Sequence, residues 1–335
     1  MKASIRKISE ITGFSPATVS NALNSKRGVK KSTADAIFKT AQELGYYDNT
    51  KIDTITFLIY KNTGKVVTDT PFFEDLIKGI ETETQAQGYA LNICTIVASM
   101  PESQKTLTAI LNNPANALLI LATELAEEDL EFFKTFRGPL VLIDGRFSSS
   151  DFNSVSIENT DSVFHAVEYL IKRGHKKIGY LKSNLRINNF REREEGYRKA
   201  LDHYSLNYNP KHTFLMTPTF DSAFDDLDTQ LSETTDMPTA FFAENDILAL
   251  GAIRALTKHG YALPDDISLI GFDDFPYSTI STPPLTTIHV FKQEMGQVAI
   301  KKLLNIIDAS DVGVPVKTEV STQLIVRDSV KDLTV

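Results

Sequence analysis

Four separate segments of this chain place a planar polar side chain where an apolar run ends or a helix opens. Asp144 closes Leu140-Val-Leu-Ile143, and Asn245 and Asp246 follow Phe241-Phe242-Ala243. Asp273 and Asp274 follow Ile270-Gly271-Phe272, and Arg193 stands at the start of a helix Arg191–Tyr204, just past the loop after Leu181. Planar Asp, Asn and Arg groups can each engage two neighbouring hydroxyls. Each residue taken alone fits a helix cap or a loop equally well. Their joint placement at strand ends favours a cleft. Paired carboxylates beside an arginine also suit acid/base work, but adjacent residues point in different directions. No nucleophile-base pair or cofactor fingerprint accompanies Asp273-Asp274, so neither catalysis nor a cofactor is expected. The fragment Asn62-Thr-Gly-Lys65 lacks the first glycine and the spacing of a phosphate loop and is discounted as one. One cysteine and six histidines cannot assemble the common zinc arrangements, so no metal is expected. Cys94, in the alternating run Ala90–Cys94, reads as a buried strand position.

The elements that position these residues alternate. Thr54–Tyr60 reads as a strand, and Phe73, Leu76, Ile77 and Ile80 follow at helical spacing before Gly88. Further strands are legible at Ala90–Thr95, Ala117–Leu121, Leu140–Ile143, Lys177–Leu181, Thr239–Ala243 and Ile267–Phe272, with helices between them. This is an α/β pattern of parallel sheets covered on both faces, and its length suggests two such subdomains. Doubly wound sheets bind ligands at the carboxyl ends of their strands, where the polar residues stand.

The first fifty residues differ in kind. Residues 1–51 carry nine Lys/Arg and four Asp/Glu, a net of +5, in a chain whose total is −8. A basic head on an acidic body is what a nucleic-acid module fused to another domain shows. Ser4 suits the N-cap of a short helix with Ile5, Ile8 and Ile11 on one face, ended at Gly13. Ser15 and Pro16 suit the cap and first turn of a second helix to Leu23. It buries Val19, Ala22 and Leu23 and leaves Ala17, Thr18, Ser20 and Asn21 on or near its outer face. A third helix, about Thr33–Leu44, buries Ile37, Phe38, Ala41 and Leu44. No apolar h-region follows MKASIRK and no stretch approaches the ~18 apolar residues that span a bilayer, so a cytoplasmic protein with no membrane association is expected.

The run Ile5–Asn24 with its Ala17-Thr-Val-Ser20-x-x-Leu-Asn24 core, and Glu43-Leu-Gly-Tyr46 after it, resemble the head of the lactose-repressor (LacI/GalR) family of transcriptional regulators. The resemblance continues through Leu142-Ile-Asp144, Arg173-Gly-His-Lys-Lys-Ile-Gly179, Arg193-Glu-Glu-Gly-Tyr197, Ala243-Glu-Asn-Asp246, Ile270-Gly-Phe-Asp-Asp274 and Pro283–Ile288. It implies a helix-turn-helix DNA-binding domain over 1–50 and an effector-binding core over 51–335 with the fold of periplasmic sugar-binding proteins. It divides that core into an N-subdomain (about 53–156 and 291–319) and a C-subdomain (about 157–290 and 320–335). It puts Pro16, Ala17 and Asn21 at base-reading positions of double-stranded operator DNA. Ser15, Ser20, Asn24, Thr33 and Tyr46 take backbone-positioning ones, and Ser4, Thr18 and Lys30 complete the DNA-binding set. It assigns Asp144, Arg193, Asn245 and Asp273 to a hydrogen-bonding ring around a small effector, a sugar, with Phe73, Phe190 and Phe220 as candidates for the apolar wall. A homodimer is implied, because one such head makes few contacts. A solute-binding protein for transport would need a signal peptide and no such head.

Two departures carry consequences. Asn21 stands where the family usually has Arg, and Asn pairs bidentately with adenine rather than guanine, so the operator should deviate from that of typical members. Tyr47–Asp53 leads directly to a strand with no leucine-bearing hinge helix, so no minor-groove wedge is expected. The family's Asn-Pro-Phe-Phe segment is stretched here into Lys61–Phe73, a longer lip on the cleft. Arg146, Arg186 and Arg191 would suit a phosphorylated metabolite if they faced the cleft, and a partner protein is the other alternative to a sugar.

Overall fold

The computed structural model describes residues 4–23, 28–44, 52–67, 71–113, 115–136, 138–308 and 313–334. Its head consists of α1 (Ile5–Thr12), α2 (Pro16–Leu23) and α3 (Lys31–Glu43). Ser4 starts α1 because its extended backbone lets its hydroxyl accept the Lys7 N–H at 3.3 Å, and Gly13, at φ +73, ends it in the left-handed conformation. Ser15 caps the Thr18 N–H at 3.1 Å in the same way, ahead of the preset φ of Pro16. Ile8, Val19, Ala22, Leu23, Ile37 and Ala41 form the small core the three helices share.

The remaining chain alternates as its apolar spacing dictates. It runs β1 (Thr54–Lys61), α4 (Pro71–Ala86), β2 (Ala90–Val97), α5 (Pro101–Leu111), β3 (Asn116–Leu121), α6 (Leu130–Phe133), β4 (Leu140–Ile143) and β5 (Asn153–Ile157). Then come α7 (Asn159–Lys172), β6 (Ile178–Ser183), α8 (Asn188–His203), β7 (Thr213–Met216), α9 (Phe220–Leu231), β8 (Ala240–Ala243), α10 (Asp246–Lys258), β9 (Ser268–Asp273), α11 (Pro276–Ile280) and β10 (Thr286–Val290). Last are α12 (Lys292–Ile307), β11 (Lys317–Val320) and β12 (Thr322–Ile325).

Two sheets result, ordered β2-β1-β3-β4-β5-β11 and β7-β6-β8-β9-β10-β12. All pairings are parallel except β10 with β12. Every residue of β3, β4, β8 and β9 is buried, which is what helices on both faces of a parallel strand impose. Strand order reverses at β1/β3 in one lobe and at β6/β8 in the other, the positions where such sheets open a crevice. The chain passes between the lobes after Ile157, after Val290 and between Val320 and Thr322. After the second crossing α12 packs on α4 so closely that a Cβ on Gly79 would lie 2.1 Å from the Gln293 carbonyl oxygen, and one on Gly296 2.7 Å from that of Leu76. Cys94 lies on the edge strand β2 and is half-buried rather than buried, because β2 has a neighbour on one side only. Among the described residues no helix is long and apolar enough to cross a membrane.

Candidate functional site

A narrow cavity lies where the carboxyl ends of the two sheets face each other. Its polar lining is Thr123 beyond β3, Asp144 beyond β4, Asn189 and Arg193 on α8, Asn245 beyond β8, and Asp273 at the end of β9. Val66, Phe72, Phe73, Ile187, Phe190, Ile247 and Phe275 supply the apolar walls.

Both cavity carboxylates stand on unusual backbone, Asp144 at φ +59 and Asp273 at φ +107. Sharp turns of this kind at a strand end aim the side chain back over the sheet edge. Asp144 accepts the Thr123 hydroxyl from its own lobe and the Asn189 amide at 2.9 Å from the other. Burial pushes its carboxyl up to about 6, with Thr123, Arg193 and Asn189 pulling the other way. Asp273 is pushed to about 6 by the same burial, opposed by Arg193 and Lys292. Its Oδ1 lies 3.6 Å from Arg193 Nη2.

Arg193 is held on three sides. Its Nε donates to Asn159 Oδ1 at 2.9 Å, its Nη1 to the Glu244 carbonyl at 2.5 Å, and its guanidinium lies 3.6 Å over the Phe272 ring. Asn245 caps α10, its Oδ1 accepting the Leu248 N–H at 3.0 Å, so the amide nitrogen is the half left for the cavity. Asp246 turns away, accepting the Phe275 N–H and the hydroxyls of Ser278 and Thr287, and so fixes the loop that carries Asp273. Asp274 also turns away, to His289 at 2.8 Å and Arg327 at 2.6 Å. The two adjacent aspartates therefore share no reaction centre. What the cavity offers is two acceptors, a rigid forked donor and an amide between aromatic walls.

The structure brings Phe73, Asp144, Phe190, Arg193, Asn245 and Asp273 together in this lining. Phe220 is corrected: it begins α9 with 41% of its surface exposed, its ring edge-on to Tyr277 at 5.7 Å, and it is no part of the cavity wall. Its helix starts beyond β7, an outer strand of its sheet. Arg146 pairs with Glu319, and Arg186 with Glu244 and Glu194. Arg191 lines an outer pocket instead. None of these three arginines faces the inner cavity.

In the head, Ser15, Pro16 and Ala17 are exposed, and Thr18, Ser20 and Asn21 are half-buried around the buried Val19, Ala22 and Leu23. Ser4, exposed, caps α1, Lys30 is exposed, and Thr33 is half-buried in the first turn of α3. Asn24, Tyr46 and most of the linker Tyr47–Asp53 lie outside the described residues.

A family profile described as a periplasmic binding protein-like domain matches residues 167–330. The transcriptional repressor PurR of Haemophilus influenzae (strain PittEE) is 32% identical over 99% of this chain and 99% of its own. The chain belongs to the LacI family of transcriptional regulators. PurR of Mannheimia succiniciproducens is 31% identical, again over 99% of both chains. Among solved structures, the transcriptional regulator CelR in complex with cellobiose superposes with a TM-score of 0.75 at 24% identity, covering 98% of this chain and all of that one. A lac repressor dimer bound to operator and the anti-inducer ONPF gives 0.73 at 23%, covering 99% and 100%.

The helix-turn-helix head and the doubly wound core are thus those of a LacI-family regulator, and the alternative of a transport solute-binding protein is set aside. Reading the sequence for chemistry missed Thr123, Asn159, Asn189 and Glu244. Thr123 and Glu244 share the signal that identified Asp144, a polar residue just past an apolar strand. Asn159 and Asn189 had no such mark, since a polar residue in the first turn of a helix is unremarkable.

Proposed function

We propose that this chain is a repressor that binds operator DNA as a homodimer through its head, and that a neutral sugar in the interlobe cavity sets its affinity. Division into a head over 1–50 and a two-part core over 51–335, with chain crossings near 157, 290 and 320, is the organisation this requires. It works where the DNA is, in the cytoplasm, and as a regulator rather than an enzyme. The observation that carries the reading is the convergence of Asp144, Asn245, Arg193 and Asp273, from four separate elements, on one cavity with phenylalanine walls. Such a wall suits a sugar's apolar ring face while the planar groups take its hydroxyls. Two carboxylates face one guanidinium, and of the arginines that a phosphate would call for, Arg146 and Arg186 are paired elsewhere and Arg191 lines the outer pocket. That balance favours an uncharged, hydroxyl-rich ligand over a phosphorylated one.

Selection of bound DNA sequences with and without a panel of neutral sugars tests the whole reading. A sugar should change operator affinity in the parent and not in Asp273→Asn, which keeps the side chain's shape. A parent protein that responds to phosphorylated sugars and to no neutral one would overturn it. Asn21→Ala should cost about 1–3 kcal/mol at one base pair per half-site without touching sugar binding.

A further inference from the structure

The segment between β1 and α4 carries a backbone arrangement made for an anion. The N–H groups of Asn62, Thr63 and Gly64 converge on one carboxylate oxygen of Glu124 at 2.8, 2.7 and 2.8 Å, and those of Val66 and Val67 on the other at 2.9 and 2.8 Å. Gly64, at φ +68, supplies the left-handed step that turns successive N–H groups to one side. Glu124, 6% exposed, stands three residues past β3. Burial alone would raise its carboxyl; the five N–H groups outweigh burial and hold it below the ordinary glutamate value. The fragment Asn62-Thr-Gly-Lys65 is therefore part of an anion cradle after all. The chain itself supplies the anion.

What the cradle holds still is Val66. This side chain lines the inner cavity and also a larger outer pocket, bounded on the lip side by Asn62, Thr63 and Glu124 and on the opposite lobe by Asn188 and Arg191. Among the described residues only Val66 and Ile187 line both spaces, one from each lobe. They form the partition between them.

We propose that Glu124 is a positioning residue for ligand selection: by filling the 62–67 cradle it fixes Val66 as the partition that closes the inner cavity and confines the ligand to a single ring. The clause about ligand rests on the reading of that cavity as the effector site. The partition itself does not.

The chain has no tryptophan, so Phe73→Trp places one indole fluorophore in the inner cavity, with no other to mask it. Acrylamide should quench it weakly. Adding Glu124→Ala should raise quenching several-fold and speed amide exchange over 62–67. Sodium acetate, which can enter the emptied cradle, should reverse both, with sodium chloride as the ionic-strength control. Glu124→Gln, which offers one acceptor oxygen and blocks the cradle, should behave like the alanine variant but resist acetate. Binding of D-glucose and D-galactose is then compared with that of their phenyl β-glycosides. Discrimination against the glycosides should fall about tenfold in Glu124→Ala and return with acetate. Unchanged quenching and exchange in Glu124→Ala, or a loss that acetate leaves untouched, overturns the proposal, because a merely structural glutamate would show no anion dependence. If quenching and exchange follow acetate but no sugar binds to any form, the effector reading fails and the partition stands. If sugars bind and discrimination is unmoved, the role in selection fails.

Discussion

Each lobe buries a glutamate just past the strand at which its sheet reverses order, and the two glutamates have opposite chemistry. Glu124, beyond β3, is met by five backbone N–H groups aimed by one short turn, and is held ionised. Glu244, beyond β8, receives one backbone N–H, from Ser183 at 2.6 Å, with the Tyr180 hydroxyl at 2.9 Å and the Arg186 guanidinium at 2.6 Å. Burial pushes its carboxyl up to about 7 in spite of that cation. Fixed dipoles, placed before the charge arrives, offset desolvation more fully than a cation that must itself be desolvated and ordered. The consequence differs too. Glu124 shapes the lip of the cavity, whereas Glu244 holds Arg186, which in turn donates to the Phe190 carbonyl at 3.0 Å and steadies the start of α8, the helix bearing Arg193.

If the second lobe depends on such cationic bracing, its most buried cation should matter most. Arg193→Ala strips Asp273 of its partner and α8 of its ties to Asn159 and the Glu244 carbonyl, and should cost about 3–5 kcal/mol of stability. Urea unfolding measures this, and a loss below about 1 kcal/mol would break the comparison, since exposed pairs cost no more than that.

The two glutamates are separated by pH. Glu124, depressed in the folded state, contributes stability that is present above the ordinary glutamate value and lost as pH falls through its folded one. Glu244, raised to about 7, contributes stability that is present below the ordinary value and lost as pH rises through 7. Glu124→Gln should therefore be about 3 kcal/mol less stable than the parent near neutrality and converge with it in acid. Glu244→Gln should be weakest relative to the parent near pH 5 and converge above 7. Denaturant midpoints over that range check both, and slopes of the same sign would refute the distinction.

A smaller effect sharpens the picture at the cavity. Asp144 and Asp273 accept hydroxyls best when ionised, and burial holds both near 6. Ligand hydroxyls that stabilise the ionised forms must displace protons, so sugar affinity should fall as pH drops through 6, by about tenfold for one unit of induced shift. Calorimetry at pH 5.5 and 7.5 would show it. A pH-independent affinity would mean that the ligand takes these groups protonated.

Much of this was legible in the sequence because it rested on short-range rules. The apolar runs of β1, β3, β4, β8 and β9 are buried on both faces and stand out. So do the polar residues that terminate them, Asp144, Asn245 and Asp273. The missed strands β5, β7, β10, β11 and β12 are short, and β11 and β12 are half-exposed edges whose mixed residues carry no clear period. The pairs that join distant stretches of chain escaped for another reason. Asn189 reaches Asp144 across 45 positions of chain, and Glu124 finds its cradle some sixty residues upstream. Nothing local in either stretch encodes that meeting. Phe220 was misplaced because an aromatic at a helix start looks the same whether it faces a cavity or solvent.

The chain passes between the lobes three times, after Ile157, after Val290 and before Thr322, always beside the last two strands at one side of each sheet, β5 with β11 and β10 with β12. A single tether would leave two bodies free to twist, slide and swing. Three attachments gathered along one margin act as the knuckles of a door: they resist sliding and twisting and leave rotation about the line through them. A ligand bridging Asp144 on one leaf and Asp273 on the other ties the leaves together one strand in from that line. Its few hydrogen bonds then act on the one rotation that the three attachments leave free.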